Sequence, residues 1–469
     1  MTTINKWIGL ALLLFAVSAC TDDFEEINTD PNEPTSVPSE NLLTQGQFAL
    51  ADTYWSRGMN FEFGMLMVQH FAQNEYAEES RYNQTTADFN GEWISFYAGG
   101  LSDINQAMEL LPNESGTEAS KANKMAMLKI MRAWAFQNMT DIWGDIPYTE
   151  AFQPDEFPNP AYDAQENIYP ALVAEIDEAL GMIDTSVPGY TTGDVIFGGN
   201  MMAWEKFANS LKLRMGMRMI DADPGLASTV VQEAANANLI TANADNALFT
   251  FGTDQRIANP FFVDAITRDD FCVSQTLVEA MRAANDPRLS VYAKPNPNGE
   301  IQGMPYGLTD AGAFELKAVS SRPTDRLRQA DAPAVLMSSA EVHFFLAEAA
   351  ERGIVGGDAE TLYNGGVAES MRYWGLTDQA AIDAYLSANP YNGMESIAYE
   401  KWVSLYSNGV EAWAEHRRLD MPELQVPDAA VIPQIPVRAF YPADEGGVNS
   451  SFAAVGFNDM TTNVWWDAN

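Results

Sequence analysis

The stretch WISFYAGGLSDINQAMELLP, residues 93–112, sets Trp93, Phe96, Tyr97, Leu101, Ile104, Met108 and Leu111 three or four residues apart and stops at Pro112. That spacing puts these side chains on one face of a helix, and proline cannot continue it. The same period extends in both directions. Leu42, Leu43, Gly46, Leu50 and Tyr54 form a stripe behind Ser39, a residue type suited to an N-cap, and Phe63, Leu66, Met67, His70 and Phe71 form the next. Downstream run Leu128, Met131, Ala135 and Met139, then Ile168, Leu172, Ile176, Leu180 and Ile183, then Trp204, Phe207, Leu211, Met215 and Met219. The C-terminal third repeats the pattern with Val342, Phe345, Leu346 and Ala349, then Ile397, Tyr399, Trp402, Leu405 and Tyr406, and Trp413 begins a further short helix.

A mainly α fold follows, built from helix pairs joined by short polar turns and stacked in a solenoid-like manner. No segment carries the 34-residue tetratricopeptide consensus well enough to establish that repeat from sequence. Between about 245 and 335 the helical period weakens. Pro260, Pro287, Pro295, Pro297, Pro305, Pro323 and Pro333 interrupt it, with Gly299, Gly303, Gly307 and Gly312. Long loops with a few short strands are expected there, and such loops on a helical scaffold are common places for binding sites.

The N-terminus reads as an address. Lys6 precedes an apolar run from Trp7 to Val17, and Ser18-Ala19-Cys20 supplies small residues before a cysteine. Eleven apolar residues are too few to cross roughly 30 Å of hydrocarbon. The expected organisation is a lipoprotein signal peptide over 1–19, lipidation (palmitate among the acyl chains) at Cys20, an extended tether over 20–38, and a single domain over 39–469. The tether holds Asp22, Asp23, Glu25 and Glu26 and then Asn28-Thr29-Asp30-Pro31-Asn32-Glu33-Pro34, a composition that suits neither a helix nor a central strand. With Cys20 taken by lipid, Cys272 has no partner, and the fold must hold by packing alone. A buried thiol is the reading for Cys272.

The formal charge is −39, and removing residues 1–19 takes away only Lys6, leaving 25 − 65 = −40. A nucleic-acid-binding surface is excluded on that balance, and an anionic membrane surface is repelled, so membrane attachment is through lipid only. His70, His343 and His416 lie far apart; no His-Glu-x-x-His, Gly-x-Ser-x-Gly or Gly-rich phosphate loop is present. No catalytic residue, metal site or cofactor is expected. Carboxylate pairs such as Asp141 with Asp145, Glu78 with Glu79, and Asp269 with Asp270 leave a glycosidase as an alternative. A chain with 65 acids makes such pairs by chance, and side-chain to backbone bonds in a turn account for Asp141 and Asp145 equally well.

Eleven tryptophans, 17 tyrosines and 24 phenylalanines are many, and several fall outside every core stripe. Tyr76, Tyr82 and Phe89 lie among Glu75, Glu78, Glu79, Arg81, Asn83 and Gln84, while Phe261, Phe262, Arg268 and Asp269 lie in the loop-rich region. Rings beside guanidinium, amide and carboxylate groups suit a sugar, and suit a peptide nearly as well. These seven residues are the expected ligand contacts. Packing of the rings beneath the loops is the competing reading.

Several ordered pieces carry a resemblance. They are Asn28-Thr29-Asp30-Pro31-Asn32, then Arg132-Ala133-Trp134 running into Asp141-Ile142-Trp143-Gly144-Asp145-Ile146-Pro147-Tyr148-Thr149-Glu150-Ala151-Phe152, then Asn209 to Arg214 and Glu341 to Ala349. Glu400-Lys401-Trp402, Glu411-Ala412-Trp413 and Arg417-Arg418 follow, with Pro436-Val437-Arg438, Tyr441-Pro442 and Trp465-Trp466-Asp467. In this order behind a lipoprotein cysteine they resemble the SusD/RagB family of outer-membrane nutrient-binding lipoproteins, in its SusD-like branch. The resemblance implies a body of tetratricopeptide-like helix pairs and a partner, a SusC-like TonB-dependent transporter, to which ligand (an oligosaccharide, alternatively a peptide) is delivered. It also implies an anchor facing the cell exterior, since Asp22-Asp23 resembles the family's acidic export signal. The matching pieces belong to the scaffold and assign no ligand contact. His343 and His416 stand where the pattern has an aromatic, and are read as packing variants.

Overall fold

The computed structural model describes residues 37–468. The signal peptide, Cys20 and all but the last two residues of the tether lie outside them. Residues Ser39–Asn469 gather into one compact unit. Helix α1 (Ser39–Tyr54) opens it. Ser39 is its first residue and not its cap: its N–H and hydroxyl both donate to the Glu114 carboxylate at 2.7 Å. The stretch at 93–112 is helical throughout, as α2 (Asn90–Ile94), a π-helical segment (Ser95–Leu101) and α3 (Ser102–Leu110). It packs along α1.

Helix α4 (Glu118–Trp143) starts where Thr117 accepts from the Ser120 N–H and ends at Gly144, whose φ of +84° suits glycine. From Ala133 to Trp143 every residue is buried, so its last three turns have no solvent face. Helix α5 (Gln165–Met182) packs on it, yet no short turn joins them. Residues 144–164 carry a small ribbon, Ile146–Pro147 antiparallel to Tyr162–Asp163, and residues 183–200 then lead to α6 (Met201–Arg218). Short joins do hold for α6 with α7 (Pro224–Ala235). The loop-rich part carries α8 (Pro260–Ala265), α9 (Gln275–Ala283), α10 (Leu289–Tyr292) and α11 (Asp310–Leu316). A short-joined run closes the helical body: α12 (Ser339–Glu351), α13 (Ala359–Tyr373), α14 (Gln379–Ala388), α15 (Met394–Ser404) and α16 (Gly409–Leu419). Contacts run from α5 to α6 and from α6 to α12, so successive pairs stack.

The centre of this stack is ionic. Arg214 and Arg218 of α6 meet Glu341 and Glu348 of α12, Lys401 of α15, and Glu411, Glu415, Arg417 and Arg418 of α16, all essentially without solvent contact. Arg418 grips both Glu348 oxygens at 2.6 Å, and Arg218 reaches Glu411 and Glu415 at 2.6 Å each. Asp141, at the end of α4, accepts from Gln137, Tyr169 and Trp466 and lies 3.4 Å from Arg218. It is therefore a core acceptor, which corrects the turn reading of Asp141; Asp145 instead takes the backbone N–H of Gln165 at the start of α5. Burial pushes Glu415 up, but Arg418, Lys401 and Arg218 outweigh it and hold the carboxyl well below its ordinary value. Glu341, with Arg214 as its close partner, is carried by burial to about 7. The sequence pieces that hold Asp141, Arg214, Glu341, Lys401, Glu411, Arg418 and Trp466 thus converge on a single buried network, while residues 28–32 lie outside the described residues. His343 and His416 each donate a ring N–H from Nε2 to a backbone carbonyl, of Thr241 and of Pro422 respectively.

Candidate functional site

Strand β1 (Phe71–Gln73) pairs antiparallel with a second strand, Phe271–Val273, in the register Phe71 to Val273, Ala72 to Cys272 and Gln73 to Phe271. This ribbon draws together two groups of expected ligand residues that lie about 190 positions apart in sequence. Asn74 fixes the junction, its backbone N–H donating to the Asp270 carbonyl and its side-chain amide to the Asp269 carbonyl, both at 2.8 Å.

Beyond Asn74 the chain turns at Tyr76, whose φ of +51° is unusual for a bulky residue. The turn throws the ring outward, and Tyr76 is 60 % exposed. The Arg268 guanidinium lies over one face, 4.9 Å from the ring centroid, and its Nε donates to Asp270 at 2.6 Å. One face of the ring is thus stiffened by a cation and the other is open to solvent. Asp269 accepts from Arg322 at 2.7 Å and Arg328 at 2.9 Å. Burial raises the Asp269 carboxyl, and these two guanidinium groups more than reverse that, holding it below its ordinary value.

Helix α11 completes the surface. The Asp310 carboxylate accepts the Ala77 N–H at 2.7 Å, and Lys317, just past the helix, pairs with Glu75. Residues 310, 314 and 317 share one helical face, so these anchors set Phe314 beside the turn that carries Tyr76. Phe314 is 67 % exposed. Sequence reading missed it, because one apolar residue on a two-turn helix makes no stripe; the only signal was an aromatic at four residues from an acid in a loop-rich region.

Three expected contacts are corrected. Tyr82, Phe89 and Phe261 are buried and present no face to a ligand. Tyr82 sits 6.4 Å from Tyr306, Phe89 meets Phe63 edge-on at 5.2 Å, and Phe261 lies 4.5 Å from Phe61. Phe262 is half-buried. Within the ribbon, Cys272 is a free, buried thiol, pushed up by burial, with Arg322 Nη1 3.0 Å from its sulfur.

Each cation here is ion-paired. Arg57 pairs with Glu62, Asp264 and Asp270; Arg81 with Glu78; Arg268 with Asp270; Lys317 with Glu75; Arg322 and Arg328 with Asp269. Burial, reinforced by Glu79 against the pull of Arg57, lifts Glu62 to about 7. The surface therefore offers two exposed rings, Tyr76 and Phe314, in a polar frame whose cations are paired. Among the described residues, no group of three or more His, Cys, Asp or Glu side chains is arranged to hold a metal ion.

A family model described as SusD-like, starch-binding and associating with the outer membrane matches residues 31–442. The chain belongs to the SusD-like family. Solved structures agree. A chitin-binding protein matches this SusD-like chain at a TM-score of 0.82 and 27 % identity, over 92 % of this chain and all of its own. A SusD homologue from Bacteroides uniformis matches at 0.77 and 26 %, over 91 % and 99 %. A chitin-binding SusD homologue from Flavobacterium johnsoniae matches at 0.79 and 22 %, over 92 % and 99 %, and at that identity speaks for the fold alone. No curated protein matches the chain. The mainly helical SusD-like architecture read from sequence is thus the observed one. No helix among the described residues is long and apolar enough to cross a membrane.

Proposed function

We propose that this SusD-like protein captures a neutral oligosaccharide at the cell surface and hands it, without chemical change, to a SusC-like TonB-dependent transporter, while lipid on Cys20 holds it to the outer membrane. The observation that carries the ligand class is the Tyr76 ring, fixed by Arg268 on one face and open on the other. A pyranose ring stacks its apolar face on such a surface, and its hydroxyls reach the polar frame. Ion pairing of every cation around the ring leaves no free positive charge to draw a polyanion. The chitin-binding protein that matches at 27 % identity makes an N-acetylated chito-oligosaccharide the first ligand to try. Tyr76, Phe314, Arg268 and Asp269 are the contacts we assign.

The test is calorimetric titration of the soluble chain lacking residues 1–20 with chitohexaose, maltoheptaose and a neutral hexapeptide. Binding of a glycan, at least tenfold weaker in Tyr76→Ala and in Phe314→Ala, is the expected result. Loss of these rings should leave the melting temperature nearly unchanged, because neither is in the core. Equal binding by both variants would remove the assignment, and peptide binding in preference to either glycan would move the ligand class. Hydrolysis of a glycan by the pure protein, abolished by changing one carboxylate pair, would replace capture with catalysis.

A further inference from the structure

A second opening shares no residue with the Tyr76 surface. It is a cleft of about 780 Å3 between the helix that runs through residues 93–109, the loop after Ile146–Pro147, and the short helix Glu445–Val448. Trp93, Tyr97 and Phe152 make its floor, and Pro147, Pro154 and Pro158 make much of one wall. At its mouth stand Ile94, 56 % exposed, and Val448, 70 % exposed. Phe152 reaches the floor from a backbone at φ +64°, a conformation that a phenylalanine adopts only where its surroundings hold it. Tyr97 holds the wall, donating its hydroxyl to the Pro147 carbonyl at 2.6 Å.

The chemistry of the cleft differs from that of the first site in two ways. Its rings stand less exposed than Tyr76. Trp93 is 6 % exposed, with Tyr162 stacked at 6.3 Å and Trp143 edge-on at 5.1 Å, and Tyr97, Phe152 and Phe157 are half-buried. The large apolar residues it exposes are the aliphatic Ile94 and Val448, edged by prolines, which suit the side chains of a peptide. Second, its charged groups are all acids. The amides of Asn105, Gln153 and Asn449 each donate one N–H, to the carbonyls of Leu101, Thr149 and Pro160. Glu109, Glu150 and Glu445 line the cleft, and no lysine or arginine does. Glu150 gives one oxygen to the Ala161 N–H and Glu445 one to the Tyr162 hydroxyl, so each keeps acceptor capacity to spare.

We infer that this cleft docks an extended segment of a partner protein, with apolar side chains against Ile94, Val448 and the prolines and with Lys or Arg side chains against Glu109, Glu150 and Glu445. Charge complementarity selects this occupant: Glu109, Glu150 and Glu445 attract a basic segment and repel an acidic one, and a neutral glycan gains nothing from their charge. Exposed apolar residues rimmed by one sign of charge are a usual mark of such a surface. The site is independent of the glycan reading and can fail or stand without it.

The experiment pans a random heptapeptide library on the soluble chain lacking residues 1–20, in parallel with Ile94→Asp and Glu109→Lys. Both substitutions are at exposed positions, so the fold and chitohexaose binding should be untouched. The expected result is enrichment of peptides that combine Lys or Arg with apolar residues, and at least tenfold weaker binding of those peptides to each variant. No enrichment, enrichment of acidic peptides, or equal binding to the variants would overturn the inference. So would protection of residues 93–109 from hydrogen exchange by chitohexaose, which would make the cleft a sugar site.

Discussion

At the scale of single residues, burial decides what a side chain can do, and sequence carries burial poorly where the helical period fails. Tyr76 and Tyr82 sit six positions apart in the same polar stretch, and both adopt positive φ, yet one ring is open to solvent and the other is wholly buried. His70 shows the energetic side of the same fact. It is enclosed between Trp402 at 5.1 Å and Tyr406 at 5.8 Å, and burial drives its pKa from 6.5 down to about 3. A folded pKa below the unfolded one means that its contribution to stability is complete above pH 6.5 and is lost as pH falls towards 3. Glu62 and Glu341 act with the opposite sign, since both are raised from 4.5 to about 7: their contribution is complete below 4.5 and is lost as pH rises through 7. The wild-type profile between pH 4.5 and 6.5 therefore sums opposing slopes, and a His70→Gln variant isolates one of them. Urea unfolding should show the variant losing less stability than wild type on acidification, by up to about 1.4 kcal/mol per pH unit. Parallel profiles would mean that His70 is not held neutral by the fold.

At the scale of elements, what was legible is what is local. The helices at 93–112, 128–139, 168–183, 204–219, 342–349 and 397–406 announce themselves because their apolar spacing is a property of a few consecutive turns. The ribbon that builds the ligand surface is three residues per strand, too short for alternation to register, and its partners are about 200 positions apart. Nothing in either strand's own sequence specifies the other, so Tyr76 and Arg268 could be named in sequence but not placed together. A close approach of two elements is likewise invisible until both are in view. The π-helical turn Arg57–Met65 packs on α16 through Gly64 and Gly409. A Cβ on Gly64 would fall 2.4 Å from the Gly409 carbonyl carbon and 2.5 Å from the Val410 nitrogen, both backbone atoms that cannot rotate away. Gly64→Ala should therefore cost at least about 1–3 kcal/mol, as overpacking of a dense core does. Chemical denaturation measures it, and an alanine tolerated without loss would show that the two helices can part.

At the scale of the whole molecule, the distribution of charge is as informative as its sum. Arg214, Arg218, Lys401, Arg417 and Arg418 lie buried against Asp141, Glu341, Glu348, Glu411 and Glu415, five cations to five acids, so the network removes cations from the surface without lowering the net charge. With 65 acids and 26 bases in the chain, the exterior is left strongly negative. Self-repulsion of that kind is screened by salt, because the Debye length shrinks from about 30 Å at 0.01 M to about 3 Å at 1 M, whereas the buried pairs are screened far less. Added sodium chloride should accordingly raise the unfolding midpoint, most steeply between 10 and 150 mM. Binding at the Tyr76 surface should respond differently. Its cations are paired and the proposed ligand is neutral, so chitohexaose affinity should stay constant over the same range while stability climbs. A polyanionic glycan should remain unbound at low salt, where the global repulsion is strongest. Glycan affinity that falls steeply with salt would reveal an uncompensated cation in the site, and would shift the ligand class from neutral to acidic even with Tyr76 still at its centre.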